Sequence, residues 1–282
     1  MAIIRGVIRL KGKVGNLVFT ERNGTAYAKD AGPKGDDYDL SEGSKKSGKD
    51  FGASQTGRGL LHQGFKPFIK TVADARMDNR LKSVTIKGIN TGPVTLQGKR
   101  KVTDGDVGLL KGFEFNGETC VGNLIGCLPL IDIDPKSNIT IGLPNMRIED
   151  LFFAPGDAAD AILQFRCCSF FFDEGLCYFA MPEDLVIPLG KASFPGADVS
   201  LAITEETTEI PDDYVIMIAW TIQFAAADGG IIRDKQYYAG SILQSVYIKD
   251  GKIVVFQYPE PVKKEMPVED LNRAAWKMRD NG

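Results

Sequence analysis

Apolar and polar positions follow two different periods along this chain. Near the N-terminus, Leu17-Val18-Phe19-Thr20 and Thr25-Ala26-Tyr27-Ala28 are short β-prone runs separated by Glu21-Arg22-Asn23-Gly24. Asn-Gly supplies the positive φ angles of a type I′ turn. Gly12 to Lys29 is therefore predicted to be a β-hairpin, and Ile3 to Leu10 a strand before it. Ala31 to Asp50 is polar and rich in Gly and Ser, the composition of a loop or linker. From about Phe51 the period lengthens. Leu61, Phe65, Phe68, Ile69 and Val72, then Met77, Leu81 and Val84, recur at helical spacing, with Pro67 kinking the first helix or starting a new one. Two amphipathic helices packed on a sheet are predicted.

After Gly92-Pro93 the period shortens to two. Phe113 and Phe115 alternate, as do Ile131 and Ile133 before Pro135, and Ile139, Ile141 and Leu143 before Pro144. Leu163, Phe165, Cys167, Ser169 and Phe171 share one face of a strand, and Ile216, Ile218, Trp220, Ile222 and Phe224 form the clearest apolar face in the chain. Their neighbours Val215, Met217, Ala219, Thr221 and Gln223 are smaller or more polar, as on a half-covered sheet. Ser245 to Lys249 and Lys252 to Tyr258, joined by Asp250-Gly251, predict a second type I′ hairpin. A short helix carrying Trp276 is expected over Glu269 to Arg279. Many short strands without interleaved helices point to an antiparallel sandwich and to a mixed α+β chain that is mostly β.

Charge also divides the chain. Residues 1–111 hold 21 Lys+Arg against 11 Asp+Glu, and the rest hold 13 against 26, which the net charge of -3 conceals. The expected domains are a basic region, 1–111, and an acidic sandwich domain, 112–282. Such polarity suits association with an oppositely charged surface. No apolar run approaches the ~18 residues of a membrane span. Arg5 and Arg9 interrupt the apolar start, so a secretory signal is not predicted. Five cysteines are not a disulfide framework, and a reducing, cytoplasmic setting is expected.

The order of segments resembles an uncharacterised family of Bacteroidetes proteins. The residues that carry it are G-K-V-G-N-L-V-F with N-G-T-A-Y, F-G-A-S-Q-T-G-R-G-L-L, P-F-I-K, M-D-N-R-L, L-L-K-G-F-E-F-N, A-P-G-D-A-A-D, and I-A-W-T-I-Q-F with Y-Y. The resemblance spans most of the chain. It implies a hairpin, helices and then an immunoglobulin-like sandwich, and it carries no activity and no site residues.

Few chemical constellations survive inspection. Gly12 and Gly15 precede a strand, whereas a phosphate loop needs a helix N-terminus there. Gly43 to Lys49 has the G-x-x-x-x-G-K spacing, but Asp50 stands where a P-loop needs Ser or Thr, and no buried strand precedes it. His62 is the single histidine, among helix-packing residues. Cys120 and Cys127 lie seven apart, and the adjacent Cys167 and Cys168 point to opposite faces of a strand, so none forms a metal site by spacing. A redox role for Cys168 is one reading. Asp132 with Asp134, Asp157 with Asp160, and Asp212 with Asp213 are carboxylate pairs that could hold Ca²⁺ or act on glycosides, and are more simply solvated. Tyr237-Tyr238 is the one aromatic pair suited to a glycan. Lys66, Lys70, Arg76, Arg80 and Lys82 could bind an anion from the helices.

The favoured expectation is a non-catalytic structural or protein-interaction protein that needs no cofactor. It would assemble with itself or another protein through the N-terminal strand and hairpin, with Arg5, Arg9, Lys11, Lys13, Phe19 and Tyr27 in contact, as in a component of a particle. The alternatives are a nucleic-acid-associated protein using the basic region, with the pI of about 5.4 against it, and a carbohydrate-binding or hydrolytic sandwich.

Overall fold

The computed structural model describes residues 2–4, 12–22, 25–31, 40–134, 138–202 and 213–258. The chain divides into two compact units, Met1–Ser47 and Gly48–Gly282. The change of charge between residues 111 and 112 falls inside the second unit.

The first unit is a four-stranded antiparallel sheet of β1 (Ala2–Ile4), β2 (Gly12–Val14), β3 (Leu17–Arg22) and β4 (Thr25–Asp30), in the order β1-β4-β3-β2. Gly12 to Lys29 is thus three strands rather than one hairpin. The extra reversal is at Gly15-Asn16, where Gly15 has φ +58° at the position a two-residue II′ loop reserves for glycine. The predicted β3–β4 pairing holds, from Leu17↔Asp30 to Arg22↔Thr25. Asn23 and Gly24 themselves, and most of Ile3 to Leu10, lie outside the described residues.

The polar stretch expected to be a linker is helical from Glu42, in α1 (Glu42–Gly64). Ser41 supplies the cap, its Oγ accepting from the Ser44 amide at 3.2 Å. The G-x-x-x-x-G-K spacing therefore lies within a helix, where it cannot wrap a phosphate. Pro67 starts α2 (Lys66–Val72), where its missing N–H costs nothing, and α3 (Met77–Asn90) follows.

Residues 94–125 correct the β reading. They form short 3₁₀ turns, whose amides are met locally, as when Asp106 Oδ1 accepts from Gly108. Phe113 and Phe115 do alternate, because the Phe115 amide donates to Gly240 O at 2.7 Å and Phe113 O accepts from Ile242 at 2.9 Å. That contact is an isolated bridge and not a strand.

The remaining elements are β5 (Leu130–Ile133), β6 (Asn138–Leu143), β7 (Met146–Arg147), α4 (Ile148–Leu151), β8 (Ala158–Phe171), β9 (Leu176–Ala180), β10 (Leu185–Pro188), β11 (Ser193–Phe194), β12 (Ala197–Ala202), β13 (Asp213–Ala226), β14 (Ala239–Lys249) and β15 (Lys252–Val254). The central antiparallel sheet runs β10-β8-β13-β14-β15, with β9 also on β8. A three-stranded sheet runs β12-β6-β5. The β14–β15 turn is type I′ as predicted, with Asp250 at φ +51° and Gly251 at φ +68°.

One face of the central sheet, with Phe165, Cys167, Ile218 and Trp220, shares a core with Ile139, Ile141 and Leu201 of the small sheet. The other face, with Cys168, Phe170, Val215, Met217 and Ala219, shares a second core with Leu61, Phe65, Phe68 and Leu81 of the helices. The half-covered sheet is corrected: β13 is buried on both faces. Small residues permit this, because they let helices approach the backbone. A Cβ on Gly240 would stand 2.8 Å from Thr221 Cγ2 and 3.1 Å from Val72 Cγ2. The helices of the basic region are therefore part of the same packed body as the acidic strands. The tail expected to carry a helix, 269–279, lies outside the described residues.

Candidate functional site

The expected interaction residues lie in the N-terminal sheet. Arg5, Arg9 and Lys11 are outside the described residues. Lys13 is exposed on β2, and Phe19 and Tyr27 are half-buried. Register separates them. Lys13 pairs with Val18 and Thr20 with Tyr27, so Lys13, Val18, Thr20, Tyr27 and Lys29 share one face. Val14, Leu17, Phe19 and Ala28 share the other. Phe19 and Tyr27 thus serve opposite surfaces. No described residue of 12–31 is buried, and Val14 and Leu17 are 65% and 46% exposed.

The basic helices are partly spoken for. Arg80 Nη1 meets Asp74 at 2.6 Å, and its Nη2 donates to Glu114 O and Phe115 O. Lys82 lies 4.7 Å over the Phe51 ring. Lys66, Lys70 and Arg76 are exposed. His62 is half-buried on α1. Among the described residues no three His, Cys, Asp or Glu side chains converge to hold a metal ion. Asp132 and Asp134 are exposed at one end of β5, Asp157 is exposed ahead of β8, and Asp213 pairs with Lys249 at 3.7 Å. Asp212 is outside the described residues. Tyr237 packs against the core between the sheets and Tyr238 against the helix-side core, so the two rings do not form one platform.

One concavity brings together residues that no sequence motif links. A cleft of about 680 Å³ lies between the segment 111–114, the loop 120–131 and the stretch Ser241–Gln244 of β14. β14 carries a bulge here: Ile218 pairs with Gln244 and Ala219 with Ile242, which leaves Leu243 unpaired. The extra residue disrupts the ladder and bends the strand locally. Ile242 packs with the helices and Leu243 with the sheets, the ordinary alternation of a strand. Val121, Ile125, Leu128, Pro129 and Leu130 make the lining mostly apolar.

Glu114 is the acidic group in this lining. Burial pushes its carboxyl up to about 7, against the pull of the Val121 amide, which both carboxylate oxygens accept at 3.3 Å, and of Arg80. Lys111, Cys120, Cys127, Ser241 and Gln244 complete the polar lining, and burial also raises the Cys127 thiol. Chemically this is a site able to hold an apolar body and exchange one proton near neutrality. Its only trace in the sequence is a glutamate between two core phenylalanines. The cleft itself joins segments more than a hundred residues apart.

No protein-family model, curated protein or solved structure matches the chain.

Proposed function

We propose that this is a non-catalytic structural or interaction protein that assembles, with itself or a partner protein, through its N-terminal sheet. The observation that carries the reading is the absence of any buried residue among the described positions 12–31. A small sheet is stable only when an apolar face is covered. Here the Val14, Leu17 and Phe19 face and the short edge strands β1 and β2 are what a partner would cover. Lys13 and Lys29 leave the opposite face basic, suited to a second contact with an acidic surface.

The test is solution mass by light scattering after size exclusion, for the intact chain and for one lacking residues 1–40. An oligomer that collapses on truncation supports self-assembly. A monomer in both forms, at low and high salt, removes it. Steep salt-dependent retention on DNA would transfer the role to nucleic acid through Lys66, Lys70 and Arg76.

The finer architectural reading belongs to the same proposal. The central sheet and the β12-β6-β5 sheet are read as an immunoglobulin-like sandwich on the strength of their shared core. A crystal structure in which Trp220 and Phe165 do not face Ile139 and Ile141 would remove it.

A second reading is favoured by Glu114. A half-neutral carboxyl in an apolar cleft is the pattern of a small-ligand or acid–base site. Saturable binding of amphiphilic probes that Glu114→Gln alters would support it, and its absence would leave assembly alone.

A further inference from the structure

Strands β8 and β9 bring two thiols and one buried guanidinium onto the helix-facing side of the central sheet. Cys168 lies opposite Phe179 and Phe170 opposite Cys177. Arg166, Cys168 and Phe170 therefore form one row, and Cys177, Phe179 and Met181 continue the row beside it. Cys168 and Cys177 are diagonal neighbours on this face, and the Cys177 thiol donates to Tyr178 O at 3.6 Å. Both sulfurs sit at the end of α1. The Cys168 thiol donates to Gly64 O at 3.5 Å, and a Cβ on Gly64 would come within 3.0 Å of Cys177 Sγ.

Arg166 is 3% exposed, and among the described residues no carboxylate pairs with it. Its Cζ lies 3.8 Å over the Phe179 ring, its Nη1 points at the Met181 sulfur, and its Nε has no partner. A buried guanidinium without an anion is costly. Cys168 is the next residue along its row, and Cys177 lies beyond Phe179 in the row beside it. Cys168 is fully buried and Cys177 half-buried. The neighbouring Cys168 thiol, opposed by burial and aided by Arg166, holds the Cys177 thiol below its ordinary range, while burial drives Cys168 up.

We propose that Cys177 is a hydroperoxide-reactive thiolate, with Arg166 as its counter-cation and Cys168 as the resolving thiol. The Cys177 sulfur attacks one peroxide oxygen, the O–O bond breaks, and hydroxide leaves. Sulfur is oxidised by two electrons to the sulfenic acid and the peroxide is reduced. The Cys168 thiol then attacks that sulfur; an S–S bond forms, the S–O bond breaks, and the Cys168 proton leaves with hydroxide as water. Diagonal Cα atoms in a sheet lie about 7–8 Å apart and a disulfide needs about 4.4–6.8 Å, so closure draws β9 inward. That strand lies at an edge, pairing only with β8 among the described strands.

The test is peptide mass mapping of the full chain after graded hydrogen peroxide, with rates followed by dimedone trapping. The expected result is a Cys168–Cys177 disulfide formed before the exposed Cys120 is oxidised. Cys168→Ser should accumulate dimedone-trapped Cys177, and Arg166→Gln should slow oxidation of Cys177 by about tenfold through loss of thiolate. If Arg166→Gln fails to fold, the ratio of Cys177 to Cys120 rates in the native protein, compared with the same ratio in urea, carries the test. Oxidation of Cys177 no faster than Cys120 in the native protein overturns the proposal. So does an unchanged rate in folded Arg166→Gln, or a disulfide that excludes Cys168.

Discussion

Asp50 and Arg100 form the most deeply buried ion pair among the described residues, at 2% and 7% exposure, and the sharpest stability prediction concerns them. Asp50 Oδ1 accepts from the Gly98 amide at 2.8 Å and the Arg100 amide at 3.3 Å, and Oδ2 from Arg100 Nη1 at 3.4 Å. Arg100 Nε donates to Pro93 O at 3.1 Å. One carboxylate thus ties α1 to the turn after α3. Asp50→Ala strands two amides and leaves the guanidinium uncompensated. Breaking a buried pair costs about 3–5 kcal/mol, and orphaned buried donors about 1–3 kcal/mol each. These overlap, so the expected loss is about 4 kcal/mol. That is a large part of an ordinary domain stability of about 5–15 kcal/mol. Asp50→Asn keeps an oxygen for the two amides and should cost less, about 2–3 kcal/mol. Asp50→Leu combined with Arg100→Met removes both charges and should be less destabilised than either single change. Urea unfolding followed by the fluorescence of buried Trp220 reads these losses, and a 4 kcal/mol change moves the midpoint by about 1 M or more. A loss under about 1 kcal/mol for Asp50→Ala, or a double variant worse than both singles, would refute the reasoning.

Other predictions follow from single contacts. The Glu114 carboxyl, at about 7 in the folded chain and 4.5 as its reference, binds more protons folded than unfolded between those values. Its contribution to stability therefore falls as pH rises from about 4.5 to 7 and is level above, and Glu114→Gln should flatten that slope in urea midpoints. A midpoint profile identical to wild type would contradict the burial of this group. A Cβ on Gly105 would sit 2.1 Å from Gly88 O. Gly105→Ala should therefore cost about 1–3 kcal/mol or more through strain between α3 and the following turn, measured as a lowered melting temperature. Burial pushes the Cys167 thiol up to about 12. At pH 7.5 Cys120 should react with a maleimide in the native protein, and Cys167 only after unfolding; early labelling of Cys167 would contradict its place in the core.

Local chemistry alone determined several elements. Asp250-Gly251 dictated its turn because few residues accept two positive φ angles, and Pro67 required a kink or a helix start because it cannot donate within one, the tertiary structure choosing the start. The period-two runs of β8 and β13 reported which side chains share a face, since alternation is a property of the strand itself. Tertiary structure decided what covers those faces. Ala219, Thr221 and Cys168 look like the weaker side of a half-exposed sheet, yet they are small because helices press on them. Gly15-Asn16 carries a weaker turn signal than Asn23-Gly24, and the polar run from Glu42 is helical with a serine cap at its start. The Glu114 cleft and the Arg166–Cys168–Cys177 cluster were beyond reach for one reason. A raised carboxyl or a paired thiol depends on burial and on neighbours brought from distant segments, and no local pattern encodes either.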